Sequence, residues 1–524
     1  RKAEREQNAP QMLKAYICRE ESQESLTPDS LYTNLKNMEL WAQREKEPVN
    51  KAILHSLLAR GYTDFMLNNR RTLQNRTLLD VDEAPADIRE WTASQFIAKI
   101  DEHNRASLQD SIRLLEVSAR AYVPFVILED GSRFYQHDMY HLLASRAIAT
   151  YQDLNGFDVD SLVRTRVNSI YEGMINTYRR TGAEDAVLLC SLDYWKWKTT
   201  GGMEPEPYET FRERRVQVGE EYLKALNDLI QEYGSREVCA EAYIGKATYL
   251  RTAGVNHIAE TLLVCDEGLK RYPSYKRIDE LKNIRESILQ PQLYVNASKG
   301  IYPGDSLSLN VQYRNLGGFT LNLYRTDLSE VPWMDTGINK AFYQKHARKV
   351  SATHFDLKPI PKADVTPEDL PYQYSNTELK LQVPDEVGVY ILQVVPDAGT
   401  THTADNFLVS SRFKVLTLGL PDNKMEVVTL DARSGQPIPE TKVSFYSVFD
   451  EKDRSVLAEV TTDAQGKAIL SWNKSIRSYV ARKGTDCAML PQRIYMGGAY
   501  ERNDGRPQEH LTLLTDRALY RPGQ

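Results

Sequence analysis

Asp516-Arg517-Ala518-Leu519-Tyr520-Arg521-Pro522, followed at once by Gly523 and Gln524, is the stretch on which the reading of this chain turns. A similar phrase, Ile301-Tyr302-Pro303-Gly304-Asp305, stands roughly two hundred residues earlier. In both, an aromatic runs into a Pro-Gly turn. Pro presets φ for the first turn position and Gly supplies a positive φ at the second, so each phrase reads as the entrance to a strand. In the earlier copy the turn leads into 306–313, where apolar and polar residues alternate. Recurring entrances imply a tandem array of like β-domains, the last of which opens at the end of the sequence. The chain is expected to be part of a larger protein.

Composition sets the outer limits. A chain of 524 residues exceeds what one core can serve and should hold roughly three or four domains. Hydrophobic content of 41% and charged content of 26% are ordinary for globular material. A net charge of −6 over this length predicts no electrostatic partner and disfavours nucleic acid. No window approaches the roughly 20 apolar residues that a membrane-spanning helix needs. The sequence starts at Arg1 without an initiator Met or a charged-then-apolar leader, as expected of a processed or excised chain.

The period of the apolar residues changes midway. Up to about residue 290, apolar residues recur at three-and-four spacing, as in Ile112, Leu115 and Ala119, and in Leu223, Leu226, Leu229 and Ile230. Gly61, Gly131, Gly156, Gly182, Gly201-Gly202, Gly234 and Gly254 punctuate the runs. Within 222–289 the links Tyr233-Gly234-Ser235, Gly254-Val255-Asn256 and Tyr272-Pro273-Ser274 are short. They force consecutive helices into antiparallel hairpins, the unit of an α-solenoid. Small Ala247 and Gly268 with Tyr272-Pro273 give it a loosely tetratricopeptide-like character, although the spacing drifts from that repeat's usual length. Such a surface serves another protein, for example a second envelope protein, or packs neighbouring domains; the sequence leaves both open.

Pro291 ends the helices, and alternation takes over. Strands are expected at 306–313, around Leu321 and Leu323, and at 378–383, 388–395 and 407–416, with 333–362 as a polar, partly helical excursion. A second set falls at 425–431, 442–446, 458–462 and 468–472, broken by the turns Ser434-Gly435-Gln436-Pro437 and Asp463-Ala464-Gln465-Gly466. The expected architecture is helical hairpins over 1–290, one immunoglobulin-like sandwich over 291–416 and a second over 417–505. Residues 506–524 form a link and the opening strand of a third.

Thr515-Asp516-Arg517-Ala518-Leu519-Tyr520-Arg521-Pro522-Gly523-Gln524 resembles the strand-and-turn signature that opens a macroglobulin domain in bacterial alpha-2-macroglobulin-like proteins. Three further stretches are similar to the sandwich preceding it: Asp431-Ala432-Arg433-Ser434-Gly435-Gln436-Pro437-Ile438, 442–446, and Thr462-Asp463-Ala464-Gln465-Gly466-Lys467-Ala468. Val387-Gly388-Val389-Tyr390-Ile391-Leu392 resembles a domain exit. The helical half is similar to the N-terminal extension in one large branch of the family. The resemblance implies an extracytoplasmic protein of the periplasm or cell envelope, often lipid-anchored, that inhibits endopeptidases broadly. A protease cuts a bait segment and is enclosed as the sandwiches rearrange; folded units on short links permit such rearrangement. The implied partners are proteases, through the full-length protein. Other readings remain: an envelope adhesion or spacer protein, or the accessory region of an enzyme whose catalytic domain lies downstream.

In the family a buried thioester joins Cys to a Gln three positions on. Cys18 precedes Arg-Glu-Glu, Cys239 precedes Ala-Glu-Ala, Cys265 precedes Asp-Glu-Gly, and neither Cys190 nor Cys487 is followed by such a Gln. The chain is expected to carry no thioester and no identifiable bait. The cysteines form no Cys-x-x-Cys pair, so no zinc or disulfide framework is expected. His137 and His141, four apart beside Asp138 in a helix expected over 135–150, would share a face as zinc ligands do. They lack the Glu of His-Glu-x-x-His and a third ligand, which favours a structural role. The run Tyr194-Trp195-Lys196-Trp197-Lys198 could stack on a sugar or peptide, or form a seam between helices. Acidic Glu20-Glu21 and Glu204-Pro205-Glu206 read as solvated, and no nucleophile elbow, P-loop or dinucleotide fingerprint occurs. No catalytic, cofactor-binding or metal-ligating residue is therefore assigned, and the chain is not expected to be an enzyme. Incubation with methylamine should leave its mass unchanged; an adduct detected by intact mass spectrometry would contradict the reading of the cysteines.

Overall fold

The computed structural model describes residues 2–6, 8–26, 30–74, 87–127, 138–157, 159–200, 208–326, 340–399, 405–420, 423–447, 456–471 and 475–489, with the single residues 85, 338 and 473. The chain forms two compact units, Arg1–Glu286 and Ser287–Gln524.

The first unit is helical. Helix Pro48–Asn68 starts with Pro at its first turn, where the missing amide is harmless, and Glu47 caps it by accepting from the Asn50 amide at 2.7 Å. Its buried residues, from Val49 and Ile53 to Leu58, Tyr62 and Met66, cover most of its circumference. Helices Ser30–Arg44, Ala93–Ser107 and Met139–Gln152 all pack on it. This part is a bundle around a central helix, where hairpin stacking was expected. The reason is visible in the residues: a helix apolar on several faces must be surrounded.

Stacking in chain order describes the later helices, Asp160–Thr181, Glu184–Thr200, Tyr208–Tyr233, Ala240–Ala253, Ile258–Arg271 and Asp279–Leu289. Gly268 is one of the small residues that allow it. A Cβ there would lie 2.5 Å from Leu281 and 3.1 Å from Tyr243.

The second unit is built of strands. β1 (Gln292–Ala297), β3 (Ser306–Arg314) and β6 (Ser375–Gln382) form one sheet. β2 (Gly300–Ile301), β8 (Asn406–Ser410), β7 (Gly388–Pro396), β4 (Gly318–Thr326) and β5 (Ala347–Asp356) form the facing one, in that order. In β3 the residues Leu307, Leu309, Val311 and Tyr313 are buried and their neighbours exposed, as strict alternation requires. They meet Phe319, Leu321, Leu323, Tyr390, Leu392 and Leu408 of the other sheet in one core.

β9 (Phe413–Leu420), β10 (Lys424–Asp431) and β13 (Lys467–Ser471) form the third sheet. β12 (Val456–Thr461), β11 (Lys442–Tyr446), β14 (Ser478–Lys483) and β15 (Asp486–Met489) form the fourth. Phe413, Val415, Met425, Val427, Val443, Phe445, Tyr479 and Ala481 fill the space between these two. The two sandwiches share one strand order. β1-β3-β6 corresponds to β9-β10-β13, and β8-β7-β4-β5 to β15-β14-β11-β12.

Two expectations change. β9 pairs along its whole length with β10, so the strand cut at 416 by the sequence reading belongs to the second sandwich, and β8 ends the first. The apolar run across 407–416 hides this corner because only Ser411 and Arg412 interrupt it. The excursion over 333–362 holds a short helix, Lys340–His346, and then the long edge strand β5, whose sequence is too polar to signal a strand. The expected opening strand at 510–516 lies outside the described residues.

Turn chemistry follows the residues. Gly304 has φ +76°, and the Asp305 amide donates to the Tyr302 carbonyl at 3.1 Å, closing the Pro-Gly turn. Gly466 has φ +70° inside Thr462-Asp463-Ala464-Gln465-Gly466, and a Cβ there would sit 2.6 Å from the Thr429 carbonyl oxygen. Gly466→Ala combines left-handed strain with a backbone clash and should lower stability by about 2–3 kcal/mol, read as a fall in the urea midpoint of the sandwiches.

Candidate functional site

The phrases singled out in the sequence meet at the junction of the two sandwiches. Ser411 and Arg412 alone link β8 to β9. The Ser411 amide donates to the Ile301 carbonyl at 3.0 Å, and its hydroxyl donates to the Phe413 carbonyl at 3.0 Å. The Arg412 amide donates to Asp486 Oδ2 at 2.9 Å, and the Arg412 carbonyl accepts from the Ala432 amide at 2.8 Å. Across the same corner the guanidinium of Arg433 lies 4.0 Å from the centre of the Tyr302 ring and pairs with the Asp305 carboxylate. The aromatic-Pro-Gly-Asp phrase of the first sandwich thus holds the Arg433-Ser434-Gly435 turn of the second.

Beneath this polar clasp lies an apolar seam. Val389 and Val409 of the first sandwich pack with Tyr446, Val480, Cys487 and Met489 of the second, with Phe407 alongside. Beside the seam opens a cleft of about 490 Å³ between β9 and β15. Phe413, Val415, Leu416, Tyr479, Ala488 and Met489 give it an apolar floor, and Lys299 and Lys414 stand at its rim. The Tyr479 hydroxyl donates to the Val415 carbonyl at 3.2 Å within it. Neither the seam nor the cleft was legible in sequence, because both depend on which faces of β8, β9 and β15 come together.

Four of the cysteines, Cys190, Cys239, Cys265 and Cys487, are buried, whereas Cys18 is exposed. Burial pushes the thiols up, to about 11 for Cys265 and Cys487, which leaves them poor nucleophiles.

His137 lies outside the described residues, as do Glu204-Pro205-Glu206. His141 is buried one turn into a helix that starts at Met139, not at 135. Asp138 is the cap of that helix, accepting from the His141 amide at 2.7 Å and from the Tyr178 hydroxyl at 2.9 and 3.0 Å. Burial pushes the Asp138 carboxyl up. Among the described residues no group of three or more His, Cys, Asp or Glu is placed to hold a metal ion.

The aromatic run forms a seam. Trp197 is buried and its indole donates to Asn168 Oδ1 at 3.1 Å; Tyr194 stacks on Tyr171 at 5.5 Å; Trp195 lies 6.5 Å from Tyr222. Lys198 Nζ sits 4.6 Å above both Tyr194 and Trp195.

The sequence reading missed a titrating cluster in the bundle. His55 Nδ1 lies 2.9 Å from His103 Nδ1, and His103 Nε2 lies 3.5 Å from Glu39 Oε1, which also accepts from the Tyr62 hydroxyl at 2.9 Å. These residues come from three helices, and no local spacing marks them. Burial, reinforced by His103 and Lys51, lowers His55 to about 4. The bond to His103, reinforced by Tyr62 and Lys99, lowers Glu39 to about 2 against its own burial.

Among solved structures the chain is similar to bacterial alpha-2-macroglobulins. One is native alpha-2-macroglobulin from Escherichia coli spanning domains MG0-NIE-MG1, at 21% identity and TM-score 0.31, over 38% of this chain and 64% of that one. Another spans domains NIE-MG1 of the same protein, at 22% identity and TM-score 0.29, over 38% of this chain and 97% of that one. A third is Salmonella alpha-2-macroglobulin reacted with methylamine, at 20% identity and TM-score 0.28, over 38% of this chain and 12% of that one. No protein-family profile matches the sequence, and no curated protein does.

The His55 value of about 4 lies below the ordinary imidazole value, so protonation is disfavoured in the folded state. Stability is complete above about pH 6.5 and declines as pH falls toward 4, by about 1–2 kcal/mol after allowance for solvent screening. Glu39, lowered to about 2, adds a further loss between pH 4.5 and 2. Thermal unfolding of the helical unit, followed by circular dichroism, should fall in both windows. His55→Gln should flatten the upper one and Glu39→Gln the lower.

Proposed function

We propose that this chain is scaffold from the N-terminal part of a bacterial alpha-2-macroglobulin-like endopeptidase inhibitor acting outside the cytoplasm, with the bait and any thioester beyond it. The observation that carries the reading is the repeated sandwich. Two units of the same strand order follow one another through Ser411 and Arg412, and the Tyr302-Pro303-Gly304-Asp305 phrase that opens β3 grips the next unit through Arg433. Tyr520-Arg521-Pro522-Gly523 repeats that phrase at the end of the sequence. Among the described residues no helix is long and apolar enough to cross a membrane, which accords with placement in a periplasm or envelope, on a lipid anchor or none.

The buried seam between the sandwiches also favours a second reading, a stiff spacer of an envelope adhesion protein, because an apolar interface resists relative motion. Enzyme kinetics separate the two. The full-length protein, mixed with trypsin, should block cleavage of casein while sparing hydrolysis of a small chromogenic substrate, as enclosure requires. A spacer leaves both rates unchanged. The present chain alone should slow neither reaction, and inhibition by it would place the reactive part within these residues.

A further inference from the structure

We propose that the cleft between β9 and β15 binds an extended peptide whose acidic side chains alternate with apolar ones, added as a strand to the open edge of the second sandwich. The comparison of the two sandwiches points to it. Their sheets share one order, with one difference. In the first, Gly300 and Ile301 of β2 pair in parallel with Val409 and Ser410 of β8, covering the last strand. In the second, the corresponding β15 ends its sheet, and no strand among the described residues covers it. The cleft opens at that edge, flanked by β9, which ends the facing sheet.

End strands present backbone amides and carbonyls that template pairing, and proteins ordinarily blunt them with proline, bulges or inward charge. Val415-Leu416-Thr417-Leu418-Gly419 of β9 has none of these, and Leu416 and Leu418 are 48% and 49% exposed. A volume of about 490 Å³ falls within the range of ligand sites. The floor from Phe413, Val415, Ala488 and Met489 suits small apolar side chains. Charge selects the other positions. Lys299 and Lys414 have no ion-pair partner among the described residues, and both stand at the rim. A strand alternating apolar and acidic residues would place one face on the floor and its carboxylates toward these ammonium groups. The inference does not depend on the chain being part of an inhibitor.

The test is fluorescence anisotropy of a labelled heptapeptide alternating glutamate and valine, titrated with the whole chain. Saturable binding is expected, weakened about tenfold by the double variant Lys299→Glu, Lys414→Glu. The same peptide N-methylated at alternate amides should not bind, since it cannot pair as a strand. Hydrogen exchange should slow at β9 and β15 only when the unmethylated peptide is present. Absence of saturable binding overturns the proposal, as does equal binding of the methylated peptide or of the charge-reversed protein. Slow exchange at these edges before peptide is added would also overturn it, because the chain's own residues would then occupy the cleft. The urea midpoint of the double variant, unchanged from the parent, confirms that altered binding reflects charge and not unfolding.

Discussion

Arg433 against Tyr302 and Asp305, above the apolar seam of Val389, Val409, Val480 and Met489, is the arrangement on which the β-rich unit depends. A link of only Ser411 and Arg412 brings β8 and β9 together but does not fix their angle. The angle is set by what flanks the link. Backbone bonds from Ser411 and Arg412 reach into both sandwiches, and the seam removes side chains of both from water. The exposed clasp contributes little energy on its own, because Arg433 and Asp305 are both well solvated. Its role is orientation, while the seam beneath supplies the stabilisation.

This alters the picture of freely rearranging units. Sandwiches with independent cores can change their mutual packing where only polar contacts join them. Here a third cluster of buried residues belongs to both, so separating them exposes apolar surface. The pair should move as one piece, and any large rearrangement belongs elsewhere in the protein.

Much of the fold could be read because local chemistry decided it. Strict alternation in Ser306–Arg314, the Pro-Gly turn at Pro303-Gly304 and the Asp463–Gly466 turn are each set by a few adjacent residues, and the structure builds them accordingly. Short links such as Gly254-Val255-Asn256 likewise defined the later helices. What escaped was decided at a distance. β5 is an edge strand with polar residues, so it carries little apolar signal, although Phe355 stacks on Phe319 at 5.3 Å. The central role of Pro48–Asn68 reflects three neighbours far apart in sequence. The His55–His103–Glu39 cluster and the cleft are likewise products of tertiary packing. The Trp-Lys run shows the converse: its residues were conspicuous, and packing assigns them to a helix seam.

The thiols illustrate how burial partitions chemical access. Cys190, Cys239, Cys265 and Cys487 are enclosed, while Cys18, on helix Ala9–Leu26, faces solvent. A maleimide reagent applied to the native protein would meet one open sulfur among the described residues. The helical unit therefore comes with a built-in attachment point for a spectroscopic reporter, remote in sequence from the sandwiches and requiring no engineered residue.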